Sequence, residues 1–371
     1  MSDFNAHADG ITSDDEALTS ALTKCADGGR IYFPSGKYLL SPFNLTSNLE
    51  LYLEKDATLL ATTDISLWPI VPPFPSYTET TDRVGAFIGG VNITNSSIRG
   101  SGTIDGQGSA WWDNPDLQYG RPRLIEPMYC QNFTMSGVTV LNPPFWAMHP
   151  YACDTLLFEN ITFSAPPTSP NTDGIDPDSC SNVIIRSYHT LHCGDDAIAI
   201  KSGKNAPGRD FAMPSYNILI EGYIIGPSSG IDIGSEMSGD VYNITVRNVS
   251  FSETMFAVRI KSGRGRGGKV SDVTFKDLTL NHTVMGLAIS MTYAKGDPAP
   301  PNSDTTPHIE NITYDNISGT SGTAGAFICL PESECRNLHM NNINITSFIG
   351  DFECFRVQGT NTGENFPNPC F

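Results

Sequence analysis

Charge is scarce in this chain, and positive charge most of all: 17% of its 371 residues are Asp, Glu, Lys or Arg, and 22 Lys and Arg face 40 Asp and Glu, a formal net charge of −18. A phosphate backbone would be repelled by that surplus, which excludes general nucleic-acid binding. An acidic ligand stays open, because a few Arg and Lys can make one cleft locally positive. No apolar run approaches the roughly 18 residues of a membrane-spanning helix, so no membrane association is expected. Helix-like patterning is nearly absent as well, whereas turn formers abound, with 34 Gly and 26 Pro. That balance favours a turn-rich β protein.

Nine cysteines are many for a reducing compartment. Cys329 and Cys335, and Cys354 and Cys370, read as local disulfide staples. Eleven N-x-S/T sequons accompany them, at Asn44, Asn92, Asn95, Asn132, Asn160, Asn243, Asn248, Asn281, Asn311, Asn316 and Asn344. Some sequons arise incidentally, where a turn Asn precedes a strand Thr. Together with the cysteines they indicate a secreted glycoprotein whose leader has been removed.

Repetition gives the architecture. Strand-like units begin at 132 ("NFTMSGVTV"), 155, 182, 217, 243, 272, 311 and 337, at spacings of 23, 27, 35, 26, 29, 39 and 26 residues. Each alternates apolar and polar residues about a polar turn. Propeller blades need about 40 residues or more, and leucine-rich repeats need a leucine ladder. The expectation is an all-β, right-handed parallel β-helix forming one domain over 1–371, and a monomer. The segment "SDDEALTSALTKCADGG" is the one clear helix, with Ser13 as N-cap, placed to cover the open N-terminal end. Cys130, Cys153 and Cys180 each precede a unit by two residues. They are expected to stack as a ladder of small buried residues, the alternative being a disulfide between two of them.

Two short stretches crowd carboxylates: "SPNTDGIDPDSC" (169–180) and "CGDDAIAIKSG" (193–203). Asp173 lies 22 and 23 residues before Asp195 and Asp196, about one coil, so the three are expected on neighbouring coils. Like-charge crowding raises the proton affinity of one carboxyl, as an acid catalyst needs. A calcium site is the alternative reading. Asp176 and Asp178 flank Pro177 and read as turn residues. Arg259 and Lys261, two apart in "AVRIKSG", project from the same strand face and could grip a sugar carboxylate.

In order, "NTDG" (171–174), "GDD" (194–196) and "RIK" (259–261) resemble the signature of the polygalacturonase family of glycoside hydrolases, family 28, over about residues 3–345. "YGRPRLIE", "PPFWAMHP" and "GSEMSG" resemble its exo-acting and plant-type branch. The resemblance implies a parallel β-helix and inverting hydrolysis of α-1,4-linked galacturonan in pectin, without metal or other cofactor. It implies Asp195 as general acid, Asp173 and Asp196 positioning water, and Tyr293 in the cleft. Arg121 and Arg123 would hold the non-reducing end of a uronide chain. Where the family carries Gly-His-Gly, this chain reads "PSSGIDIGSEMSG", with Ser229 in the histidine position and Gly230 after it. His149 could partly substitute for that histidine. Asp232 adds negative charge that disfavours a galacturonate carboxylate nearby, which keeps rhamnogalacturonan or xylogalacturonan hydrolysis as an alternative. "GRGRGGK" (263–269) reads as a flexible basic loop beside the cleft. From other classes, a calcium-dependent pectate lyase and a non-catalytic β-helix pectin-binding protein share the fold.

Overall fold

The computed structural model describes residues 1–114, 117–293 and 305–371. They fall into two compact units: Met1–Pro73 with Thr81–Asp176 and Val183–Gly194, and Phe74–Thr80 with Pro177–Asn182 and Asp195–Phe371. Each is built from parallel strands paired coil upon coil, and the fold class is the parallel β-helix that the repeat implied.

In the first unit, Gly29–Phe33, Leu49–Leu53, Thr94–Gly100, Gln131–Ser136 and Asp154–Glu159 pair in parallel along one face. Their register stacks Ile31, Leu51, Ile98, Met135 and Phe158 in one buried column. A second face stacks Tyr38, Leu59, Ile104, Val140, Phe163 and Thr190. The period-2 alternation seen in the sequence is therefore the inward half of each coil, and burial of these columns drives the winding.

The second unit repeats the scheme on a larger scale. Ser215–Ile225, Val241–Ser252, Lys269–Ser290, His308–Ile328 and Cys335–Phe355 align Ile220, Val246, Phe275, Tyr314 and Met340. On another face Ile198–Ile200, Ile231–Ile233 and Phe256–Lys261 stack Ile198, Ile231 and Val258 inward, and also Ile200, Ile233 and Ile260. The alternate position of that face carries Ala199, Asp232 and Arg259 in register.

Near their starts several strands turn a corner at an asparagine in the left-handed region, among them Asn95, Asn132, Asn217, Asn243 and Asn311 at φ between 54 and 59°. Asn tolerates this conformation better than other side chains with a Cβ. Their amides then form rungs: Asn132 donates to Asn95 at 2.8 Å and Asn95 to Asn48 at 3.1 Å, and elsewhere Asn337 donates to Asn311 at 3.1 Å. Many sequons are thus produced by a corner Asn followed by strand residues.

The N-terminal helix spans Asp15–Lys24 and buries Ala17, Leu18 and Ala21. Its N-cap is Asp14 and not Ser13, which ends the strand Asp9–Ser13. The Asp14 carboxylate turns away from the helix to accept the N–H groups of His7 (2.6 Å) and Ala8 (3.1 Å). Disulfides join Cys329 to Cys335 and Cys354 to Cys370, as the spacing implied. Cys130 and Cys153 are also bridged, which replaces the expected ladder of thiols: parallel stacking puts their Cα atoms 4.6 Å apart. Cys180 is buried, its thiol donating to the Asp178 carbonyl at 3.2 Å. Among the described residues, no helix is long and apolar enough to cross a membrane.

Candidate active site

In the second unit, the strand Phe256–Lys261 presents Arg259 and Lys261 on one face, as alternation requires. Both meet carboxylates. Lys261 Nζ lies 2.5 Å from Asp196 Oδ2 and 2.6 Å from Asp232 Oδ2. Arg259 donates from Nε (2.9 Å) and from Nη2 to Asp232 Oδ2, and its Nη2 is 3.6 Å from Asp196 Oδ1. All four side chains are nearly excluded from solvent, Asp232 completely. Register explains the Asp232–Arg259 pair, because the two are direct neighbours on adjacent coils.

Burial alone would raise the Asp196 proton affinity, but the charges of Lys261, Lys201 and Arg259 outweigh it and hold this carboxyl below the ordinary range. Asp232 moves the opposite way, raised first by burial and then by the Asp196 charge, which Lys261 and Arg259 only partly offset. Lys261 is held protonated against its own burial by Asp196 and Asp232.

An aromatic frame surrounds the cations. The Phe256 ring centroid lies 4.0 Å from the Arg259 guanidinium carbon, and Tyr293 stands 5.6 Å from both Arg259 and Lys261. Tyr293, which the resemblance implies for the cleft, thus lies beside the Arg259–Lys261 pair. Asp195 is half-buried. Its carbonyl accepts the Ser229 N–H at 2.8 Å, and its Oδ1 accepts the Ser229 hydroxyl at 3.4 Å. The serine in the histidine position thus reaches the aspartate it would have to serve. Gly230, at φ +99°, follows; a Cβ there would meet the Phe256 carbonyl oxygen at 2.1 Å.

Sequence reasoning missed Lys201 and Glu236. Lys201 is 3% exposed and its Nζ lies 3.7 Å from Glu236 Oε2, with Arg266 Nη2 3.9 Å from Oε1. The signal was present: Lys201 shares an alternating face with Ala199, the position that Asp232 and Arg259 occupy on later coils. The basic loop is also less free than expected. Arg264 pairs with Glu332, and Arg266 is buried, donating to the Ser235 carbonyl at 3.0 Å. Asp178, expected as a turn residue, instead forms a parallel bridge with Lys201 and is fully buried, its carboxylate accepting from Gly203 N–H (3.1 Å) and the Tyr77 hydroxyl (2.5 Å).

The first unit holds the remaining candidates. Asp173 is buried, its carbonyl accepting the Ala147 N–H at 2.9 Å. Thr172, its chain neighbour, accepts the N–H of Gly194 at 3.0 Å. Only glycine fits at 194, since a Cβ would meet the Ser169 carbonyl oxygen at 1.7 Å. Arg121 commits its fork to protein: Nη1 donates to the carbonyls of Pro144 (3.1 Å) and Pro170, and Nη2 to Asn171 Oδ1 (2.8 Å). Its guanidinium also stacks on Phe145 at 4.8 Å. Arg123 stacks on Trp146 at 4.8 Å, with Nε 3.6 Å from Glu126 Oε1.

His149 is fully buried and bonds through Nδ1 to Glu126 Oε1 at 3.0 Å. Arg83 Nη1 lies 2.7 Å from the other oxygen, Oε2. Although burial would raise Glu126, the Arg83 charge, the His149 bond and the Arg123 charge hold its carboxyl down at about 2. Glu126 closes the "YGRPRLIE" stretch, but nothing in the sequence pattern gave it a role or pointed to Arg83.

The family model described as "Glycosyl hydrolases family 28" matches residues 26–364, and the chain belongs to that family. It is a glycoside hydrolase. It is 36% identical to a probable polygalacturonase of Vitis vinifera over 99% of this chain and 79% of that one. It is 31% identical to an endo-polygalacturonase of Pectobacterium carotovorum subsp. carotovorum over 89% of this chain and 83% of the other. The exopolygalacturonase of Thermotoga maritima superposes with a TM-score of 0.81 at 26% identity, covering 96% of this chain and 90% of that chain.

Proposed function

We propose that this protein is a secreted, inverting hydrolase of α-1,4-linked galacturonan in pectin, acting from chain ends. The polygalacturonase relatives support the substrate class, and the observation that carries the reading is the buried cluster of Asp196, Arg259 and Lys261 beside Tyr293. Inversion needs one protonated carboxyl at the leaving oxygen and one ionised carboxylate holding water. Carboxylate oxygens of Asp195 and Asp196 lie within 4.8 Å, short of the roughly 6.5–9.5 Å typical of inverting pairs, so the inverting assignment rests on the family and not on this spacing. Asp195, half-buried and hydrogen-bonded to Ser229, takes the acid role. Asp196, kept ionised by its cations, takes the water-holding role with Asp173. Arg259, Lys261 and Tyr293 face the sugar. Arg121, Arg123 and His149 shape the ground around Asp173 and Glu126, Arg121 through Pro144, Pro170 and Asn171, and Arg123 Nε and His149 Nδ1 through Glu126. Three disulfides support an oxidising destination.

Product analysis tests the reading. With chelator present, the protein is incubated with polygalacturonate and, separately, with rhamnogalacturonan, beside an Asp195→Asn variant. Saturated galacturonate monomer, lost in the variant, is the expected result. Oligomer ladders would make the action endo. Unsaturated products or a requirement for calcium would overturn hydrolysis. Cleavage of rhamnogalacturonan or xylogalacturonan alone is the second reading, favoured by Asp232. We further propose that residues 1–371 form one catalytic domain and a monomer; a single unfolding transition and a mass near 40.2 kDa by light scattering are expected.

A further inference from the structure

The Arg259–Lys261 pair already has a carboxylate in its grip. Asp232 Oδ2 accepts from Arg259 Nε at 2.9 Å and from Nη2, and lies 2.6 Å from Lys261 Nζ. Asp196 takes a second position on Lys261 at 2.5 Å. The charges sum to zero: Asp196 and Asp232 against Arg259 and Lys261. Lys201 stands outside this clamp, sharing the Glu236 carboxylate (3.7 Å) with Arg266 (3.9 Å). Asp232 is completely buried and one coil from Arg259 in register, so the bond is fixed by the winding of the chain.

We infer that Asp232 is a specificity-determining residue: it fills the carboxylate clamp from within, so that the subsite facing Arg259 and Lys261 takes an uncharged sugar unit, either a methyl-esterified galacturonate or a neutral sugar. The inference rests on the reading above that these two cations face substrate. A charged uronate would have to displace Asp232 or enter a neutral cluster, losing the attraction of one unit charge at close range. An uncharged unit loses nothing, and it can still use the Tyr293 ring and the polar edges of the clamp.

The test compares wild type, Asp232→Ser and Asp232→Asn on galacturonate oligosaccharides as free acids and as methyl esters, at pH 7, with a neutral-sugar-containing rhamnogalacturonan oligosaccharide as a third arm. Wild type is expected to show a KM for the ester no higher than for the acid. Both variants are expected to lower KM for the free acid about ten- to a hundredfold relative to the ester. Preference of the wild type for the rhamnogalacturonan arm over the ester would assign the neutral unit to a neutral sugar. A wild-type preference for the free acid that both variants leave unchanged would overturn the inference. So would a parallel loss on all substrates with a lowered Tm, the mark of a structural role. Calorimetric binding of free-acid oligosaccharide to Asp195→Asn with and without Asp232→Ser separates this from the parent reading. If wild type hydrolyses no galacturonan, the proposed function fails, while tighter binding in the double variant still supports the clamp and unchanged or absent binding refutes it.

Discussion

Replacing Glu126 by glutamine removes the negative charge at the centre of a buried group in the first unit. Glu126 is 3% exposed and faces Arg83 at 2.7 Å, His149 at 3.0 Å and Arg123 at 3.6 Å, and the two arginines are each 12% exposed. Its carboxyl is held at about 2, against 4.5 for an unperturbed glutamate. At about 1.4 kcal/mol per pH unit, that difference stabilises the fold by about 3 kcal/mol at neutral pH. The sign follows from the lowered value. The stabilisation is complete above the unfolded pKa near 4.5 and is lost as pH falls towards 2. Glu126→Gln should therefore cost about 3 kcal/mol at pH 7, in line with the cost of leaving buried cations without their counter-ion. Because wild type itself protonates in that window, the difference should shrink to under half by pH 3. Urea denaturation of both proteins at the two pH values measures it. A difference below about 1 kcal/mol at pH 7, or one that stays equal at both pH values, would refute the electrostatic account and leave only packing.

Other outcomes follow from single features. Lys261→Met leaves Asp196 and Asp232 buried with one cation fewer, so a loss of about 3–5 kcal/mol in denaturant unfolding is expected together with loss of hydrolysis. Gly194→Ala drives a Cβ into the Ser169 carbonyl and moves the adjacent Asp195; kcat should fall at least about a hundredfold with KM changed much less. Removing the Cys354–Cys370 bridge as a double alanine variant opens a loop of sequence separation 16 and should cost about 3 kcal/mol, read as a lower denaturation midpoint.

The fold was legible because its information is local. Alternation within each unit and a polar residue at each corner suffice to write the coils, and the spacing of 23 to 27 residues gives their length. What escaped was whatever depends on a choice between equal local options. Ser13 and Asp14 are both good caps, and the competing N–H groups of His7 and Ala8 decided how Asp14 is used. Stacked cysteines can sit side by side or bridge, and for Cys130 and Cys153 the close approach of parallel strands decided it. At the candidate site, Asp195, Asp196, Arg259 and Lys261 stand in the ordered motifs, and Tyr293 is named by the family resemblance. Asp232 was recognised as a nearby charge, but not as the partner of Arg259, although a separation of 27 residues is one coil and in-register neighbours touch. Arg83 and Glu126 are 43 residues apart, and Arg83 sits on a two-residue strand outside the repeat, so no periodicity connects them.

The corner asparagines carry a consequence for how such a chain matures. In Asn95 and Asn132 the nitrogen that donates the rung is the same Nδ2 to which an N-linked glycan would be attached. A sugar added there during synthesis competes with the coil that has yet to close over it. In a host that glycosylates, occupancy at these two sequons and correct winding work against each other. The sequence that writes the corner thus also writes a hazard into its own biogenesis, and secretion yield should rise when the Thr134 or Ser97 position of those sequons is changed to a residue that keeps the strand but abolishes the acceptor motif.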